Sequence, residues 1–248
     1  MCGRFTLLVS SDQLSKTFGV DIKGFDQPHY NIAPSQKMPI IYYDEESERR
    51  EAPLAEWGLV PAWAKEPTAQ TSRFINARAE TVLEKPSFKK PFLTQRCLIP
   101  ASGFYEWKPV QEPKTPKKPY YFYPSTQDLF CFAGLWEMTN FKERQQILLT
   151  FTIITTEANQ LMSPYHHRMP VILSPDHYAS WLGEQETSES FLQDLLKPCD
   201  DNFLTCHPVS RAVNKPHYNT PDCIEPYEEP EIEKTNGSED GFLSKEQS

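Results

Sequence analysis

The sequence reads as an α+β fold: a single domain built on a curved, mostly antiparallel β-sheet or open barrel with a few short flanking helices. Three observations predict this. Short segments rich in aromatic and β-branched residues recur along most of the 248 residues and read as strands. Helix signals are few and short. There is no strand–helix–strand rhythm, which removes the parallel, doubly wound folds. We find no internal repeat.

In chain order, residues 5–8 read as a short strand. Ser10, Ser11 and Asp12 supply N-cap chemistry for a helix running to Phe18, which Gly19 stops. Residues 30–35 form an extended loop, because the residue before a proline is pushed toward β or polyproline geometry. Residues 38–43 and 54–60 read as strands around a charged turn at 44–50, and residues 61–64 as a turn carrying Trp63. Residues 74–81 are a strand end running into a helix. Pro86 is expected to interrupt any helix in the basic stretch 85–90. Residues 97–100 and 103–107 read as strands, 109–119 as a loop with four prolines and three lysines, and 120–123, 130–136 and 148–155 as further strands. Short helices are expected at 176–182 and 188–196, and a last strand at 203–209.

Composition bounds the function. There is no twenty-residue apolar run, so no membrane span is expected, and no signal peptide is recognisable. The six cysteines, at 2, 97, 131, 199, 206 and 223, lack a paired framework or C-x-x-C and read as reduced thiols. A cytoplasmic protein is expected. Of the net charge of −9, residues 225–248 contribute −6 (eight acidic, two basic), leaving −3 on residues 1–224. The domain is therefore set at 1–224, and 225–248 is expected to be a disordered acidic tail. A nearly neutral body can still carry a local basic groove. With nine glycines and no phosphate-binding loop, no nucleotide cofactor is expected.

The start of the chain, MCGRF, is the most informative stretch. An initiator Met before a small residue is normally trimmed, which would leave Cys2 with a thiol and a free α-amine. Their reference pKa values are about 8.5 and 7.7–8.0, so both react near neutral pH. The amine can form a Schiff base with an aldehyde, and the thiol can then close a thiazolidine ring. Gly3 permits close backbone approach, and Arg4 brings a charge suited to a phosphate. A Cys after Met also occurs by accident.

Further polar groups sit in apolar context. Asn76 and Arg78 share a face of a strand; alternatively they are a turn residue and a surface ion-pair partner. Glu106 lies between Tyr105 and Trp107, either as an acid/base with a raised pKa or as a solvent-facing residue of an amphipathic strand. His166 and His167 would point to opposite sides of an extended chain, so at most one of them is expected to serve a given site. The His and Cys residues lack metal-ligand spacing, so no metal is expected. Trp57, Trp63, Phe104, Tyr105 and Trp107 are core residues or a stacking platform for unpaired bases, with Trp63, in a Pro-bounded loop, the best placed for an exposed role.

These stretches together (MCGRF, YNIAPSQ, WGLVPAWAK, INARAET, CLIPASGFYEWK, FTIITT, HHRMPVIL and HPVSRAVN) resemble the SOS-response-associated peptidase (SRAP) family over residues 1 to about 215. The resemblance implies a monomeric protein, without cofactor, that crosslinks itself through Cys2 to abasic sites in single-stranded DNA and shields the lesion. On matching positions it implies that Cys2 is the nucleophile, Asn76 orients the adduct, Glu106 is the acid/base and His166 aids ring opening and reversal. It further implies DNA contacts by Arg4, Asn31, Pro34, Trp63, Arg78, Ser210 and Arg211. Competing readings are a thiol peptidase with autocatalytic N-terminal processing, a glutamine amidotransferase, which also begins Met-Cys-Gly, and a non-catalytic single-strand-binding module.

Overall fold

A computed structural model describes residues 2–65, 74–109 and 116–228, the side chain of Arg144 excepted. The expected acidic tail lies outside the described residues from position 229 onward. The last described segment still touches the body, where the Tyr227 N–H reaches the Pro208 carbonyl at 2.9 Å.

The N-terminal strand β1 (Phe5–Leu7) is buried along its whole length and leads to helix α1 (Ser11–Phe18). As expected, Ser10 caps α1 by accepting from the Gln13 N–H, and Gly19, at φ 68°, closes it with an N–H bond to Ser15. The segment expected as a loop at 30–35 is half strand, β2 (His29–Ile32), because it pairs antiparallel with β1. The strand expected at 38–43 is split into β3 (Lys37–Pro39) and β4 (Tyr42–Asp44), each pairing elsewhere; β5 (Arg49–Glu51) completes a hairpin with β4. Then β6 (Leu54–Trp57) stops three residues early, where Gly58 takes φ 125°. β7 (Asn76–Arg78) runs into a 3-10 turn, as expected.

The expectation that Pro86 breaks a helix is overturned. Pro86 opens helix α2 (Pro86–Thr94), at a position where a missing N–H has no intrahelical partner to lose. Pro91 is tolerated inside it because Phe88, Pro91 and Phe92 form one buried face at i, i+3 and i+4. Strands β8 (Arg96–Ala101), β9 (Gly103–Lys108) and β10 (Lys118–Pro124) follow. β11 (Phe130–Phe141) and β12 (Gln146–Glu157) form a hairpin longer than the sequence suggested. β13 (Arg168–Pro170) and β14 (Ile172–Leu173) are additions to the expected set, too short to show a period. Helices α3 (Tyr178–Leu182) and α4 (Glu189–Asp194) and the strand β15 (Leu204–Pro208) close the fold.

The strands curl into a half-barrel of two main sheets. One is antiparallel in the order β15-β10-β9-β1-β2. The other runs β14-β11-β12-β6-β3, with β8 on β11 and with β7 and β13 on β12. Only the β12–β6 and β12–β7 pairings are parallel among the described strands. Phe5 joins the sheets, its ring 5.1 Å from Trp57 and 5.8 Å from Phe132. Burying such aromatics stabilises by about 1.5–3 kcal/mol each, so β1 is anchored by its core face. Cys2, just before it, is carried into the interior with it.

Candidate active site and nucleic-acid interface

Two strands remote in sequence, β7 and β9, converge on Cys2. The Asn76 side chain, at the start of β7, donates from Nδ2 to the Cys2 carbonyl at 2.9 Å. Its Oδ1 is buried without a hydrogen-bond partner among the described residues. β9 is the neighbour of β1 and extends past its start, where the Tyr105 N–H bonds the Arg4 carbonyl at 3.0 Å. Strand alternation then turns Glu106 onto the face of Phe104, a core residue, so the carboxylate is only 4% exposed. Tyr105 faces the other way and bonds the Tyr30 carbonyl at 2.6 Å.

Electrostatics tie these groups together. Cys2 is fully buried, and burial first, then the Glu106 carboxylate, push its thiol far above the ordinary thiol range. The positive charge at the start of the chain and a backbone contact with Arg4 offset this only in part. The folded thiol is therefore neutral, where the sequence suggested one close to titration; desolvation decides the difference. His166, half-buried, is drawn below the usual histidine range by burial, against the opposing pull of Glu106. The Arg168 N–H donates to His166 Nδ1 at 2.9 Å. An N–H can only donate, so Nδ1 is the acceptor and the proton of the neutral ring sits on Nε2. The Arg168 carbonyl, 3.3 Å from the same nitrogen, is the weaker contact. His166 and His167 do not splay to opposite sides as expected. They sit in the bend before β13 with rings stacked 4.4 Å apart and 22° from parallel.

The expected DNA-contact residues divide into two groups. Trp63 is 64% exposed and Arg78 is exposed beside Glu80, while Pro34 is half-exposed in a turn where Ser35 takes φ 73°. The others are tied into the body. Arg4 Nη1 donates to Asn31 Oδ1 at 2.9 Å and to the Val213 carbonyl at 2.7 Å. Asn31 is itself buried and donates from Nδ2 to the carbonyls of Val213, Lys215 and Tyr218. Asn31 thus fixes the Arg4 guanidinium and the C-terminal segment. Ser210 uses its hydroxyl to cap the 3-10 turn Arg211–Asn214, and Arg211 Nη2 donates to the Pro116 carbonyl at 3.3 Å.

Sequence reasoning missed the supports of His166. Arg168 is buried and forms a two-pronged ion pair with Glu80, and also donates to the Thr155 carbonyl. A buried Arg beside a histidine pair is invisible to periodicity in so short a strand. Among the described residues no group of three or more His, Cys, Asp or Glu side chains could hold a metal ion. None of their helices is long and apolar enough to cross a membrane.

Comparison with known proteins gives the family. The family model described as SOS response associated peptidase (SRAP) matches residues 1–216. The chain is 44% identical to the abasic site processing protein YoqW of Bacillus subtilis over 91% of this chain and 99% of that one. It is 32% identical to the abasic site processing protein HMCES of Gallus gallus, over 83% of this chain and 68% of that one. A solved Bacteroides thetaiotaomicron protein superimposes with a TM-score of 0.81 at 27% identity, covering 91% of this chain and all of that one. The chain belongs to the SRAP family.

Proposed function

We propose that this protein processes abasic sites in single-stranded DNA by joining its own N-terminal Cys2 to the lesion, as a monomer and without a cofactor. The observation that carries the reading is the grouping of Cys2, Asn76, Glu106 and His166 in one desolvated site. The names of the relatives supply the lesion.

The order of bond formation follows from the protonation states. A neutral, buried thiol is a poor first nucleophile, so after Met1 is removed the α-amine attacks first. It adds to the open-chain aldehyde of the abasic sugar, and loss of the carbonyl oxygen as water leaves a Schiff base. Asn76 holds the Cys2 carbonyl, and its unpartnered Oδ1 is an acceptor for a donor brought into this place. Sγ then adds to the imine carbon, the thiol proton passing by way of Glu106 to the imine nitrogen, and the thiazolidine closes. The sum is aldehyde plus aminothiol giving ring plus water. Closure is intramolecular, where effective molarities of about 10⁵ M or more are reached in well-oriented systems. His166, with Nε2–H, is a donor for ring opening on the reverse path. The exposed Trp63 and the Arg4 and Arg78 charges suit a stacked base and flanking phosphates. The thiol peptidase reading needs a thiolate attacking first, which the burial of Cys2 opposes.

The test is incubation with single-stranded DNA holding one abasic site, followed by a denaturing gel and intact mass. A Cys2 adduct is expected, lost in Cys2→Ser, on protein lacking Met1. Correctly trimmed protein that forms no adduct would sink the proposal.

A further inference from the structure

Tyr165, the residue before His166, is used by none of the chemistry above, yet it is held from four directions. Its ring meets Tyr120 at 4.7 Å and Phe122 at 5.0 Å, both edge-on, and the Lys108 ammonium lies 5.3 Å over it. The Cys206 thiol is 3.4 Å from its hydroxyl. These partners belong to three adjacent strands, β9, β10 and β15.

Strand geometry shows what this docking does. On β9, Phe104, Glu106 and Lys108 share a face. Tyr120 stands opposite Glu106, and Phe122 opposite Phe104. Cys206 pairs with Phe122 across β10 and β15 and so faces the same side. Tyr165 therefore rests on the sheet face that bears Glu106, in Glu106's own cross-strand row. The turn it belongs to is also closed from within. The Tyr165 and His166 N–H groups both reach the Met162 carbonyl, at 2.9 and 3.1 Å, and Met162 is fully buried. On the other side of His166, the Arg168 N–H holds Nδ1. The histidine is thus bracketed by an aromatic anchor before it and a backbone donor after it. The charged and titratable groups acting on it are Glu106 from β9, neighbouring His167 and the positive start of the chain.

We infer that Tyr165 is a positioning residue: its ring, seated on Tyr120, Phe122 and Lys108, sets the His166 imidazole against Glu106. The inference rests on the proposed crosslinking reaction only for its catalytic readout, since the placement of His166 is measurable without DNA.

Two measurements on the full-length protein decide it. In histidine NMR titrations, Tyr165→Phe should leave His166 titrating as in the wild type, below an ordinary histidine. Tyr165→Leu, which keeps apolar bulk without a ring, should return it toward the ordinary value. An unchanged His166 titration in Tyr165→Leu overturns the inference. In crosslink-reversal assays, Tyr165→Leu should slow the reaction about ten- to a hundred-fold, the scale of a misplaced catalytic group, and Tyr165→Phe should not. The double variant Tyr165→Leu/His166→Ala should be no slower than His166→Ala alone. Additive losses would mean that Tyr165 acts on stability at large, and would also overturn it. If the wild type forms no crosslink, the proposed function fails while the titrations still decide the role of Tyr165.

Discussion

Asn76 offers the sharpest perturbation of the site. Its Nδ2–H···O=C bond to Cys2, at 2.9 Å, is the one hydrogen bond between described side chains and the Cys2 backbone. A hydrogen bond in a water-shielded site, once its donor is removed, costs about 1–3 kcal/mol. If that bond holds Cys2 in its attacking position, the loss appears in the rate as about a 5- to 150-fold slowing of adduct formation. Asn76→Asp is the cleaner variant, because it keeps the shape and replaces the donor by an acceptor facing a carbonyl. Asn76→Ala removes both ends of the amide. The assay is single-turnover formation of the denaturation-resistant adduct on labelled abasic DNA, with thermal melting to confirm folding. A folded Asn76→Asp protein that reacts within two-fold of wild type would refute the reasoning, since it would show that Cys2 is positioned by β1 alone.

Two further outcomes follow from packing and protonation. In Gly103→Ala the new Cβ would overlap the Tyr121 ring, whose hydroxyl is held by buried Thr6. Overpacking of this kind costs about 1–3 kcal/mol, so melting should fall by about 2–12 °C, and an unchanged melting temperature would contradict it. His29 and His166 are both drawn below the ordinary histidine range, by burial first. The unfolded chain therefore binds more protons than the folded one from about pH 6.5 down to the lowered folded values, and stability must fall as pH falls through that window. Urea midpoints at pH 7.5 and 5.5 should show the drop, and His29→Gln should lessen it; a midpoint that rises on acidification would contradict the sign.

Much of the fold was legible because its local signals are strong. The Ser10 cap and the Gly19 stop bracket α1 as the sequence indicates, and the aromatic runs of β8 to β12 read as strands. Errors arose where tertiary pairing overrode local chemistry. The 30–35 loop became half strand because β1 needed a second neighbour, and Pro86 started a helix because a first-turn position tolerates it. The candidate site was legible only as residue types, a thiol after Met and a carboxylate between aromatics, each of which also had an ordinary reading. Its electrostatics were not. The neutral state of the Cys2 thiol depends on burial contributed by strands remote in sequence, and the tautomer of His166 depends on a backbone N–H two residues on. Asn31 shows the same limit: its type suited a DNA contact, whereas its burial makes it a brace for Arg4 and Val213.

β1 is laid between β2, which the ribosome makes soon after it, and a strand made much later. β9, one of its two neighbours, begins at Gly103, and Arg4 finds the Val213 carbonyl only when most of the chain exists. Until then the first residues have β2 as a partner but lack the cover of β9 and of the Val213 segment. Once the sheet has closed, Cys2 has no exposed surface. At about 5–20 residues per second, synthesis up to Val213 leaves a window of about ten to forty seconds. On the proposed reading of Cys2 as the nucleophile, its enclosure is in this way timed by the order of the fold.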